Sequence, residues 1–202
     1  MGWNDGTEQE IFTMGELIDK FSLGKVQRAG ARFDERRLLW MNGAFIRALS
    51  LDELFALCND YWPPEAADYS QDYRRAVLAL VQERLKYLAE LPELTSFFFT
   101  DLPINPELIN GHKQLKKLST QELRDLLEQA QATLGASEFT VEDLQARLND
   151  LLEKSGQKPA VLFSLVRIAT TQAPSSPGLA ESLAVLGKEV ALRRIHTQLS
   201  SL

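Results

Sequence analysis

The sequence holds a single cysteine, Cys58, among 202 residues, so no internal disulfide can form, and a lone thiol suits a reducing compartment. The two histidines, His112 and His196, stand far apart and with one thiol cannot supply the usual four-ligand zinc site. No apolar run approaches the ~20 residues that cross a bilayer. The opening MGWNDGTEQE lacks the basic and apolar stretches of a secretory signal. Neither GxGxxG nor GxxxxGK is present, so no phosphate-cradling loop is marked. Gly24-Lys25 and Gly187-Lys188 lack the upstream glycine that such a loop needs. No serine occupies a nucleophile elbow, and Cys58, within LFALCND, reads as a core thiol. His112, in NGHKQ, reads as a solvated loop residue, and His196 as a charge near a helix C-terminus. The residues alone mark no enzyme. A hydrophobic share of 45% with 25% charged residues leaves a soluble, cytoplasmic, folded chain of one or two domains.

Charge of one sign is also scarce outside the middle. Residues 1–49 carry seven basic and seven acidic side chains, residues 50–95 carry four and nine, and residues 96–202 carry eleven and twelve. The net charge of -6 thus gathers in the central stretch, which excludes a broad polyanion-binding footprint. Any polyanion must be met by a few placed residues.

Helix signals, in contrast, are abundant. Thr13 with Glu16, Ser50 with Glu53, Ser119 with Glu122 and Thr140 with Asp143 have capping-box spacing. The pairs Phe12 and Leu17, Leu49 and Leu54, and Phe139 and Leu144 have staple spacing. Asn105-Pro106 marks a further start, and Gly135, Gly156 and Gly187 mark left-handed stops. Val77, Leu80, Val81, Arg84, Leu85 and Leu88 follow one face of a helix expected over residues 71–90. Leucine rows at 123–134 and 144–152 do the same. Alternating strand-like stretches are absent, so the expected fold is all-α, with one short extended piece near residues 10–12. WPPEA and APSSPG read as loops, and Asn42-Gly43 as a helix stop.

Beyond these local signals, ARFDERRLLWMNGAFIRALS (residues 31–50) closely resembles a stretch of bacterial glutamyl-tRNA synthetases just past their catalytic domain. GWNDGTEQEIFTMGELIDKFSLGKV (residues 2–26), DYRRAVLALVQERLKYLAEL (residues 72–91) and PGLAESLAVLGKEVALRRI (residues 177–195) resemble the same family. The resemblance implies a helical stem-contact region over 1–49 and two helical anticodon-binding subdomains, 50–95 and 96–202, forming an α-helix cage. The HIGH-like and KMSKS-like motifs of the family's catalytic domain are missing. The chain is therefore expected to be a C-terminal, tRNA-binding portion without enzymatic activity of its own. ATP and magnesium would belong to the missing domain, with no cofactor in this portion. The implied partners are tRNA(Glu) and the protein's own catalytic domain, with no membrane, and the expected state is a monomer.

The same resemblance assigns site residues. In glutamate-specific members the arginine that reads the third anticodon base falls on Arg84, with Arg74 and Arg75 as neighbouring candidates. By spacing alone, Arg84 is a groove-lining arginine with its stem over apolar neighbours. Arg167, Ser176, Pro177, Gly178 and Leu179 match segments that lie against the anticodon, although Pro177-Gly178 equally reads as a plain helix entry. Here the chain departs from the family's Thr-Gly and Ser-Pro-Pro, having Thr170-Thr171-Gln172 and Ser176-Pro177-Gly178. Arg36, Arg37, Trp40 and Arg47 are candidates for the inner corner of the tRNA, Trp40 reading also as core. Lys113, Lys116 and Lys117 could touch phosphates or form a solvated face. The rival function is a helical protein-interaction module without RNA selectivity.

Overall fold

The computed structural model describes residues 2–27, 33–173 and 175–202, so the first two residues of the 31–50 segment lie outside the described residues. Among those described stand eleven α-helices and no strand. They are α1 Met14–Lys20, α2 Glu35–Ala48, α3 Leu51–Leu57, α4 Gln71–Val81, α5 Leu91–Phe99, α6 Glu107–Asn110, α7 Thr120–Gly135, α8 Val141–Ser155, α9 Pro159–Thr171, α10 Leu179–Leu186 and α11 Lys188–Ser201. The extended piece expected near residues 10–12 is irregular chain leading into α1.

Local chemistry sets most of the starts. The hydroxyls of Thr13, Ser50 and Ser119 accept from the amide three residues on. Glu16, Glu53 and Glu122 accept in return from the cap amides at 2.7, 2.9 and 2.7 Å, so two otherwise unpaired donors are satisfied per box. Thr140 caps α8 alone, because the Asp143 carboxylate turns to the amide of Glu138 at 2.8 Å and to Arg147. Phe139, at φ 62°, bends the chain so that this amide arrives first. Asn105 accepts from the Glu107 amide at 3.0 Å and opens α6.

Several stops differ from expectation. Gly156 caps α8 in the left-handed region as its spacing implied, whereas Gly135 stays inside α7 and Ala136 closes it with right-handed backbone. Gly187, at φ 81° and ψ 158°, ends α10 and begins α11 at once, a one-residue pivot that no side-chain-bearing residue adopts cheaply. Asn42-Gly43 is no stop, since α2 runs through both. Gly43 is instead the place where α2 meets another backbone: a Cβ there would lie 3.3 Å from the Leu85 carbonyl and 3.6 Å from Lys86 Cα.

The largest correction is the helix expected over 71–90. It ends at Val81 and continues as two 3-10 turns, Gln82–Arg84 and Leu88–Glu90. Tertiary contacts compete successfully with the helical ladder here. Gln82 donates to the carbonyls of Ile46 and Leu49 at 3.2 and 2.9 Å, closing the end of α2, and Asn42 donates to the Lys86 carbonyl. Leu85 is nevertheless fully buried, so the apolar row survived although the helix did not.

Among the described residues, three apolar clusters result. Leu54, Cys58, Leu78, Val81, Leu85 and Leu91 form the first with Ile46. Leucines and valines of α7, α8, α9, α10 and α11 form the largest, between Ile109 and Leu199. Phe97, Phe98 and Phe99 join Ala66, Val77 and Leu186 in a third that bridges the other two. The 95/96 division falls inside α5, the helix that carries these phenylalanines. Cys58 is buried, and burial pushes its thiol up to about 11. His112 is partly buried rather than a solvated loop residue, its Nδ1 accepting from the amides of Gln114 and Leu115 at 3.3 Å. His196 is exposed and lies more than one turn before the end of α11.

Candidate nucleic-acid interface

Arg84 lies at the end of the Gln82–Arg84 turn rather than on a helix face. Leu85 is buried immediately after it, which anchors the turn and turns the arginine toward the loop before α10. Arg84 Nη1 donates to the Ser176 carbonyl, and Nη2 donates to Ser175 Oγ at 2.9 Å. Arg167, from α9, reaches the same loop: its Nη1 lies 2.8 Å from the Ser176 carbonyl, 2.5 Å from Ser176 Oγ and 2.8 Å from the Pro177 carbonyl. Ser176 Oγ in turn donates to the Pro177 carbonyl at 3.1 Å. Two guanidiniums from distant parts of the chain therefore share one carbonyl acceptor.

The electrostatics of this pair are unusual. Half-burial, and after it the neighbouring Arg84 charge, pull the Arg167 guanidinium below its ordinary value, with the Glu181 carboxylate opposing. A guanidinium still remains charged. No carboxylate forms an ion pair with either arginine among the described residues; their partners are neutral oxygens of the loop. A neutral acceptor does not cancel a cation.

The loop is held in place by its burial. Ser176 and Leu179 are 6% and 8% exposed and Pro177 is buried, while Gly178 is exposed and opens α10. A side chain at Gly178 would collide with the Glu181 carboxylate, which folds back over the helix start. Of the residues expected at the anticodon, the structure brings together Arg84, Arg167, Ser176 and Pro177 by direct contact. Arg74 and Arg75 do not join them: Arg75 pairs with Asp52, and both stand over the Phe55 ring.

The stem-contact candidates sit on α2. Arg36, Trp40 and Arg47 are four and seven residues apart, which places them on one face. Trp40 is 49% exposed, so its core reading is corrected. Arg36 is exposed, Arg47 half-buried, and Arg37 donates to Glu10 at 2.9 Å. Lys113, Lys116 and Lys117 are exposed, the last two in the turn Leu115–Lys117. Sequence reasoning missed Ser175 and Glu181. The only signal for Glu181 was its place three residues after Gly178, at a helix start that favours a carboxylate.

The all-helical fold is shared with a known family of proteins. The chain belongs to the anticodon binding domain family, which its residues 53–199 match. It is similar over its whole length to glutamate–tRNA ligases, being 34% identical to that of Clostridium botulinum strain Hall and 35% identical to that of Herpetosiphon aurantiacus. The chain spans 41% and 42% of the length of these two relatives. Its fold is that of two solved glutamate–tRNA ligases. One, from Elizabethkingia meningosepticum, has a TM-score of 0.77 and 20% identity over 100% of this chain and 39% of that one. The other, from Elizabethkingia anophelis, has a TM-score of 0.78 and 20% identity over 98% and 38%. No helix among the described residues is long and apolar enough to cross a membrane.

Proposed function

We propose that this chain is the anticodon-reading portion of a glutamate–tRNA ligase, selecting tRNA(Glu) for a catalytic portion outside it. The observation that carries the reading is the convergence of Arg84 and Arg167 on the Ser176 carbonyl. Loop bases are recognised when splayed out and hydrogen-bonded on their edges. Glutamate and glutamine anticodons differ at the third base, cytosine against guanine. Cytosine offers adjacent acceptors, N3 and O2; guanine offers adjacent donors, N1–H and N2–H. A guanidinium has five donors and no acceptor. The loop engages two of those on Arg84, and the three left over suit cytosine and oppose guanine. The exposed face of α2 bearing Arg36, Trp40 and Arg47 suits the inner corner of the tRNA, its arginines adding salt-dependent affinity without sequence information.

The same reading assigns glutamate activation, ATP and magnesium to the portion outside this chain, and a monomer in the cytoplasm as the working form. Among the described residues, nine of the thirteen exposed large apolar side chains lie between Met14 and Phe45, more than a free surface of this size is expected to leave uncovered. That supports docking of the catalytic portion against this end.

The test compares binding of two tRNA transcripts that differ only at the third anticodon base, at two salt concentrations. A preference for cytosine of about tenfold to a hundredfold is expected, the scale of one bidentate pair. Arg84→Gln should erase the preference while leaving the salt slope in place. Equal binding of both transcripts by the unaltered chain overturns the reading and favours a protein-interaction role.

A further inference from the structure

Arg194, on α11, is largely enclosed, with 11% of its side chain exposed. Its Nε donates to Asp101 at 2.8 Å, Nη1 to the Thr170 carbonyl at 2.7 Å and Nη2 to the Thr100 carbonyl at 2.9 Å. The preceding Arg193 donates to the same Asp101 carboxylate, so that carboxylate is gripped by two arginines of one helix. Thr100 is the C-cap of α5, and Thr170 lies in the last turn of α9. Final carbonyls of a helix lack partners in their own ladder and carry the negative end of its dipole. One guanidinium therefore satisfies two helix ends simultaneously, with a fixed fork geometry that a lysine cannot reproduce.

These two helix ends belong to the two parts that build the arginine site. The α5 end is tied to α4, which leads into Arg84, by Tyr73 donating to the Phe98 carbonyl at 2.9 Å. Arg167 is carried on α9, three residues before Thr170, and the Thr171 hydroxyl donates to the Arg167 carbonyl at 2.8 Å, while the Thr170 hydroxyl donates to the Val166 carbonyl at 2.8 Å. Ser175, Ser176 and Pro177 follow the end of α9 by four to six residues. A change in the span between the α5 and α9 ends therefore moves Arg167 and the loop relative to Arg84.

Resting on the anticodon reading above, we propose that Arg194 is a positioning residue for third-base discrimination: it fixes the span between α5 and α9, and with it the register of Arg84 against the Ser176 loop. It touches no nucleotide. A bidentate contact tolerates misplacement of only about half an ångström, so a loosened span degrades discrimination before it degrades attraction to phosphates.

The experiment measures Kd for the cytosine and guanine transcripts with the unaltered chain, Arg84→Gln, Arg194→Lys and Arg194→Met, well below each melting temperature. A spin-label distance between Asp72→Cys on α4 and Glu153→Cys on α8 is recorded in parallel. Arg194→Met should lower the cytosine preference at least fivefold, leave the salt slope unchanged and broaden the distance distribution. Arg194→Lys, keeping charge without the fork, should fall between, and it carries the test if the methionine variant does not fold. A purely structural role would weaken both transcripts equally and leave their ratio intact, which overturns the proposal. If Arg84→Gln erases the preference and both Arg194 variants keep it within twofold, the positioning role alone is wrong. If the unaltered chain shows no preference, the anticodon reading fails and this inference falls with it.

Discussion

At the scale of single residues, Gln172 shows how a departure from a family pattern is accommodated. The end of α9 requires left-handed backbone, and Gln172 adopts φ 47° and ψ 33° there where a glycine would ordinarily serve. Its side chain compensates: Nε2 donates to the Ile168 carbonyl at 3.0 Å and to Gln198 at 2.8 Å, while Oε1 accepts from the Asn105 amide at 3.0 Å. Gln172→Ala keeps the strained backbone and loses all three bonds. Gln172→Gly loses the bonds but relieves the strain, by about 1–2 kcal/mol. Urea denaturation should therefore find the alanine variant less stable than the glycine variant by roughly 1 kcal/mol. The sequence exposed the substitution, since Thr170-Thr171-Gln172 stands where Thr-Gly is usual. The three partners come from 26, 67 and 4 residues away, and no local pattern announces two of them.

Among elements, legibility follows the range of the determining interaction. Capping boxes were readable because both partners lie within four residues and compete only with water. Ser119→Ala should cost about 1 kcal/mol, the usual worth of a cap, as a lower urea midpoint with an unchanged denaturant slope. The equivalent change at Thr140 should cost no more, since its Asp143 partner is engaged elsewhere. The break after Val81 was illegible for the opposite reason. Burial of Leu85 and half-burial of Leu88 preserve helical spacing across a segment whose Gln82 side chain and Lys86 carbonyl are bonded to α2. Periodicity reports which side chains face the core, not which partners the polar groups beside them take. Gly43 gave the same kind of misreading, looking like a stop in sequence and serving as a contact in space.

For the whole molecule, cooperation between the two parts rests on the phenylalanine cluster and on Asp101. Hydrogen bonds from Arg193 and then Arg194, with both their charges, hold the Asp101 carboxyl below its ordinary value against partial burial. A carboxyl lowered on folding contributes stability that is complete above its unfolded value of about 3.9 and is lost as pH falls below it. Much of Asp101 remains in contact with solvent, with 48% of its side chain exposed, so the contribution is screened and modest. Asp101→Asn should lower the urea midpoint at pH 7, and the gap from the unaltered chain should narrow progressively as pH falls below about 4. Persistence of the full gap at low pH would mean that the carboxylate charge is not what joins the parts.

The sequence by itself determined the helical class, most helix starts and the burial of Cys58. Those features depend on neighbours in the chain or on side-chain chemistry that travels with the residue. Only the tertiary structure decided where α4 ends, that Trp40 is exposed, and that Arg84 and Arg167 meet over one carbonyl 92 and 9 residues away in sequence. Their meeting depends on how two helical parts are fixed against each other. That geometry is set by contacts such as Arg194 with Thr100 and Thr170, 94 and 24 residues distant, which chain folding brings together and no local spacing encodes.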